Sequence, residues 1–93
     1  MRTRPRTDAN HAEIVKAFED MKCPVQSLAY IGGGCPDLLV LIAGRNYLVE
    51  VKSPKGKLTP FQETWIGNWV GGDVAIIRSV DEAIDLVTTC RRR

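Results

Sequence analysis

Between Pro36 and Lys52 the chain reads Pro-Asp-Leu-Leu-Val-Leu-Ile, then Ala-Gly-Arg-Asn, then Tyr-Leu-Val-Glu-Val-Lys. Two strand-length runs of Leu, Ile and Val flank a turn signalled by Gly44 and Asn46, which predicts a β-hairpin. A hairpin that pairs Ile42 with Tyr47 sets Asp37 across from Lys52 and Leu39 across from Glu50. Side chains alternate faces along a strand and paired residues share a face, so Asp37, Glu50 and Lys52 lie together. Two carboxylates and one ammonium then converge within roughly 5–8 Å at one end of the hairpin. A three-residue connection reverses the parity and separates them.

The remaining elements follow from periodicity and stop signals. Asn10 to about Met21 predicts a helix, with Ile14, Phe18 and Met21 on one face and Asn10 with Glu13 in a capping-box pattern. Cys23-Pro24 stops it. Val25 to Ile31 is a strand candidate. Gly32-Gly33-Gly34-Cys35-Pro36 is a turn, because glycine permits positive φ and proline holds its neighbour extended. After the hairpin comes a polar, basic loop, Ser53 to Lys57. Thr59-Pro60-Phe61-Gln62 opens a second helix, with Thr59 as N-cap and Gln62 closing the box. Phe61, Trp65 and Trp69 fall on one stripe, read as packing against the sheet for Phe61 and Trp65, and Gly71-Gly72 ends the helix. Val74 to Arg78 is a short strand. Ser79 to Glu82 opens a last helix with Ala83, Ile84 and Val87 facing inward. The order is helix, three strands, helix, strand, helix. A crossover through the second helix lays the fourth strand parallel to the third. The fold class is α/β, a mixed sheet flanked by helices.

Ninety-three residues suit one small domain, and 44% hydrophobic with 26% charged residues excludes a disordered chain. No apolar run approaches the roughly 20 residues that span a bilayer, and no secretory signal is recognisable, so cytoplasmic residence is expected. Cys23, Cys35 and Cys90 show no CxxC spacing and are read as reduced thiols. The net charge of +2 is uneven. Arg2, Arg4 and Arg6 mark a basic N-terminal arm over residues 1–9, and Arg91, Arg92 and Arg93 mark a basic tail over residues 88–93. Both are either solvated ends or arms that meet nucleic-acid phosphates.

Asp37, Glu50 and Lys52 form a set suited to phosphodiester hydrolysis. A phosphodiester is anionic and resists attack. A divalent ion orients a water and neutralises charge, and Mg²⁺ takes hard oxygen ligands. Asp37, Glu50 and the backbone carbonyl of Val51 would supply those oxygens, with Lys52 orienting the water or stabilising developing charge. Taken singly, Glu50-Val51-Lys52 also describes an exposed salt-bridged edge, and an Asp after Pro also describes a turn. Arg45, Lys55 and Lys57 are candidate phosphate contacts, with solvated loop charge as the alternative.

Gly34-Cys35-Pro36-Asp37 followed by Glu50-Val51-Lys52 resembles the PD-(D/E)XK nuclease superfamily. Thr59-Pro60-Phe61-Gln62-Glu63-Thr64-Trp65 narrows the likeness to the virus-type replication-repair nuclease (VRR-NUC) domain. Members of that family read Gly-x-Pro-Asp, then Glu-x-Lys, then a Pro-x-Gln-x-x-Trp helix start. The likeness runs from about Asn10 to Val87. It implies a restriction-endonuclease-like αβββαβ core and Mg²⁺- or Mn²⁺-dependent DNA cleavage. It further implies metal binding by Asp37 and Glu50, assistance from Lys52, a first-helix glutamate at Glu13 and a site-adjacent Gln62. Capping is the rival role for Glu13 and for Gln62. Short members of the family resemble Holliday-junction resolvases, which implies a homodimer acting on branched DNA. The competing readings are a catalytically silent DNA-binding or assembly module on the same fold, and a flap or single-strand nuclease.

Overall fold

In the computed structural model, which describes residues 9–93, the elements run α1 (His11–Asp20), β1 (Val25–Ser27), β2 (Leu38–Ile42), β3 (Arg45–Val51), α2 (Pro60–Asn68), β4 (Val74–Ile77) and α3 (Val80–Arg91). The sheet order is β1-β2-β3-β4, antiparallel except for the parallel β3–β4 pair. This is the expected mixed sheet with flanking helices. The basic arm over residues 1–9 lies, apart from Ala9, outside the described residues.

The register of the central hairpin differs from expectation. Ala43 and Gly44 both take positive φ, 51° and 82°, the conformation of a primed two-residue turn whose twist matches that of its strands. Ile42 therefore pairs with Arg45, not Tyr47, and Leu38 pairs with Val49. The ladder slides by two residues, so one step further along it Asp37 stands opposite Glu50 instead of Lys52. An even shift preserves parity, and Asp37, Glu50 and Lys52 still share a face.

The opposite face carries the core. Leu38, Val40 and Ile42 of β2, with Tyr47, Val49 and Val51 of β3, are buried against Ile14 and Phe18 of α1 and Ala83, Val87 and Cys90 of α3. Burying a side chain such as Phe18 is worth about 1.5–3 kcal/mol. A Schellman turn stops α1 before Pro24: Cys23 N–H donates to Phe18 O at 3.0 Å and Lys22 N–H to Glu19 O at 2.9 Å, with Lys22 at φ 64°. β1 is shorter than the expected Val25 to Ile31, because the chain turns after Ser27 and Ile31 N–H donates to Leu28 O at 3.0 Å. Residues 88–91 belong to α3 and are not a tail. Cys90 Sγ and Tyr47 Oη are hydrogen-bonded at 3.1 Å, and the Arg91 guanidinium donates to the carbonyl of Met21 at the end of α1. A cation there complements the negative end of the helix dipole. Ile84, expected inward, is 41% exposed, since the buried stripe runs through Ala83, Val87 and Cys90. All three cysteines are free thiols.

Helix α2 crosses the other face and has no buried residue. Phe61, expected against the sheet, is exposed, and Trp69 lies just past the helix end, stacked on Trp65 with ring centroids 4.6 Å apart. What seats the helix is Gly34. At φ +87° its Cα abuts the first turn of α2, where a Cβ would fall 2.6 Å from the Phe61 carbonyl carbon and 3.0 Å from Gln62 N.

Two stability predictions follow from this packing. Gly34→Ala should cost about 3 kcal/mol, from positive φ and the forced shift of α2 together, whereas Gly32→Ala, with open space around it, should cost only about 1 kcal/mol. Denaturant melts compare the two. The bond to Cys90 and then burial raise the Tyr47 hydroxyl above its ordinary pKa. A folded-state value above the unfolded one contributes stability that is complete below the unfolded value, about pH 10, and lost as pH rises through the folded one. Tyr47→Phe should lose about 1 kcal/mol at neutral pH and show a shallower alkaline decline in melting temperature than wild type.

Candidate active site

β2 ends before β3 does, and the site is built where the ladder runs out. Val51 N–H points toward the side where β2 has stopped at Leu38, and the Asp37 carboxylate closes the gap, accepting from it at 3.0 Å through Oδ2. Lys52 N–H, one residue on, donates the other way to Ile77 O of β4 at 3.0 Å. Strand alternation therefore places the carbonyl of Val51 on the same side as its N–H, facing Asp37.

Glu50 is 1% exposed, beneath α2. Gln62 Nε2 donates to Glu50 Oε2 at 3.1 Å, and Lys52 Nζ lies 3.9 Å from the same oxygen. Taking a carboxylate out of water costs several kcal/mol. A charge-assisted hydrogen bond returns about 1.5–3 kcal/mol. An ammonium near 4 Å adds about 4 kcal/mol of attraction at the dielectric of a protein boundary. Gln62 and Lys52 together are thus of the right size to hold the charge.

Gln62 both caps α2 and reaches Glu50, because an amide has two ends. Its Oε1 accepts from Thr59 N–H at 2.9 Å while Thr59 Oγ1 accepts from Gln62 N–H at 3.2 Å, completing the capping box. Its Nε2 is left for Glu50. The pattern at Ser79 forms half a box: Ser79 Oγ accepts from Glu82 N–H at 3.1 Å, but Glu82 Oε1 reaches past it to Arg78 N–H at 2.7 Å.

The expected box at Asn10 does not form. Asn10 Nδ2 instead donates to Lys52 O at 3.0 Å and Arg78 O at 2.8 Å, pinning the start of α1 to the ends of β3 and β4. Sequence reading missed this role, and no local pattern signals a bond across 42 residues. Glu13 is exposed on the first turn of α1, and among the described residues no third acidic, His or Cys side chain joins Asp37 and Glu50. The structure therefore leaves Glu13 apart from them. Burial, with the Glu50 and Asp37 charges, raises the Cys35 thiol above its ordinary pKa, so its reactive thiolate is disfavoured.

The basic candidates separate. Arg45 sits at the hairpin turn, roughly 17 Å along the strand from Glu50, and is paired with Asp73 at 3.0 Å. Lys55 and Lys57 are exposed in the loop that leaves Lys52, which Arg78 steadies by donating from Nη2 to Gly56 O at 3.1 Å.

The donors at this site are two carboxylates and a carbonyl, hard oxygens of the kind that Mg²⁺ and Mn²⁺ take. So small a set fits an ion that keeps several waters. Among the described residues no helix is long and apolar enough to cross a membrane.

The family profile described as "VRR-NUC domain" matches residues 6–81. A solved structure described as "VRR_NUC domain" is 28% identical, with a TM-score of 0.71, over 87% of this chain and 97% of its own. Comparison with curated proteins finds no match. A family match over most of the chain, on a sheet of the same topology class, makes this chain a member of the VRR-NUC domain family, which has a nuclease-type fold and is generally divalent-metal dependent.

Proposed function

We propose that the chain is a divalent-metal-dependent DNA endonuclease that acts on branched DNA, of the kind a Holliday junction presents. The observation that carries this reading is Glu50: a buried carboxylate, across the ladder from Asp37, with Lys52 and Gln62 directed at it. Asp37, Glu50 and the carbonyl of Val51 would hold Mg²⁺ or Mn²⁺. Such an ion supplies charge neutralisation at the phosphodiester and makes water more acidic. Gln62 keeps Glu50 Oε2 in place, and Asp37 stays aligned through Val51 N–H. Lys52 presents an ammonium to the phosphate or the attacking water. Lys55 and Lys57 extend positive charge from the site along the backbone of the nucleic acid.

The proposed unit is a homodimer, with a two-fold axis relating two sites to two equivalent strands. The surface that supports it is the sheet face α2 leaves uncovered. Leu39 and Leu48 are half-buried there and Leu41 is 41% exposed, beside a groove of about 220 Å³ lined by Pro24, Val25, Gln26, Leu39, Leu41 and Asn46. An uncovered apolar face suits a self-complementary contact.

The test is cleavage of labelled four-way junction, flap, duplex and single-stranded DNA with Mg²⁺ or Mn²⁺. Wild type should cut the branched substrates and lose activity in chelator. Asp37→Ala, Glu50→Gln and Lys52→Ala should each fall by about 100-fold or more. Binding without cleavage in either metal would mean a silent module. In salt titrations of DNA binding, Lys55→Ala and Lys57→Ala should each lower the log–log slope by about 1, and Arg45→Ala should leave it unchanged. Light scattering at micromolar concentration should return twice the chain mass of 10.3 kDa; the single chain mass would reject the dimer.

A further inference from the structure

Phe61 opens α2 with 75% of its surface exposed, although the residue after it, Gln62, touches Glu50. Neither the core nor the helix accounts for the ring. α2 has no buried residue, and the aromatic contact on this stretch is Trp65 with Trp69, one turn and more away. On its other side lies the glycine turn, whose Gly34 backbone meets the Phe61 carbonyl and whose Ile31 is 65% exposed. The Phe61 ring thus stands in water one residue from the side chain that reaches Glu50.

The spacing matters. Gln62 Nε2 lies 3.1 Å from Glu50 Oε2, and the Cα of Phe61 is about 3.8 Å from that of Gln62. A nucleotide whose phosphate meets Asp37 and Glu50 therefore lies close to the first turn of α2, where Phe61 is exposed. In continuous duplex both faces of each base are already stacked, and the ring gains nothing. At a branch or in a single strand a base has a free face, and stacking it on an aromatic side chain is favourable whatever its identity.

We infer that Phe61 is a base-stacking residue that takes the face of a nucleobase unstacked beside the scissile phosphate. This rests on the nuclease reading and adds to it how the site distinguishes branched or single-stranded DNA from plain duplex.

The experiment uses forked DNA carrying 2-aminopurine at the unpaired position next to the branch, and matched duplex, in Ca²⁺ for binding and Mg²⁺ for cleavage. Wild type should quench the 2-aminopurine. Phe61→Ala should bind forked DNA on the order of tenfold more weakly, lose the quench, and keep duplex affinity and melting temperature. Phe61→Trp should restore binding and quench, and Phe61→Leu should restore neither in full. The inference is overturned if Phe61→Ala binds forked DNA as wild type does, if it weakens fork and duplex equally, or if its solution mass changes, which would make the ring a subunit contact. Wild-type cleavage with an indifferent Phe61→Ala sinks this inference alone; a wild type that neither binds nor cuts any DNA removes the nuclease reading with it.

Discussion

A carboxylate with 1% of its surface in contact with solvent keeps its charge only where neighbours replace the water it lost. At Glu50 that replacement is the Gln62 amide at 3.1 Å and the Lys52 ammonium at 3.9 Å. An apolar side chain at the same position would need neither, and buried ion pairs are often no more stable than hydrophobic substitutes. Stability alone therefore does not explain the arrangement. Much of the surrounding fold serves this one side chain. α2 buries none of its own residues, yet its first turn delivers Gln62; Gly34 lacks the Cβ that would push that turn away; Asn10 ties the start of α1 to the carbonyl of Lys52.

The sheet divides labour between its faces. One is sealed by α1 and α3 around Phe18, Val40, Val49 and Val87, and supplies the cohesion of the domain. The other carries the charged end of the hairpin and only the narrow cover of α2. The Glu50 carboxylate is held by a strand whose alternate residues are locked in the core, and on its own side it is met by Gln62 from α2.

Most elements were legible because each rests on local physics. Ile14 and Phe18 at helical spacing, Thr59 and Gln62 three apart, and two Leu-, Ile- and Val-rich runs around a glycine turn depend only on near neighbours in the chain. Most of what was misread depends on partners far away. Asn10 looks like a cap, but its amide serves two carbonyls across the sheet, and Glu13 loses its capping partner. Phe61 falls on a stripe with Trp65, yet the sheet lies elsewhere. The hairpin register missed by two residues because Ala43 in a left-handed conformation is unusual for a residue with a Cβ.

The sequence by itself determined that Glu50 and Lys52 share a face and that Asp37 joins them under any even turn, because strand parity is a property of spacing; the two-residue turn at Ala43 and Gly44, seen only in the structure, made it even. It also determined the family resemblance, which needs only motifs in order. Tertiary structure alone decided that Glu50 is buried while Lys55 and Lys57 are not, that Arg45 stands at the far end of the strand against Asp73, and that Phe61 faces water. Exposure and long-range pairing are set by how elements stack, and stacking is a property of the whole chain that no local spacing encodes.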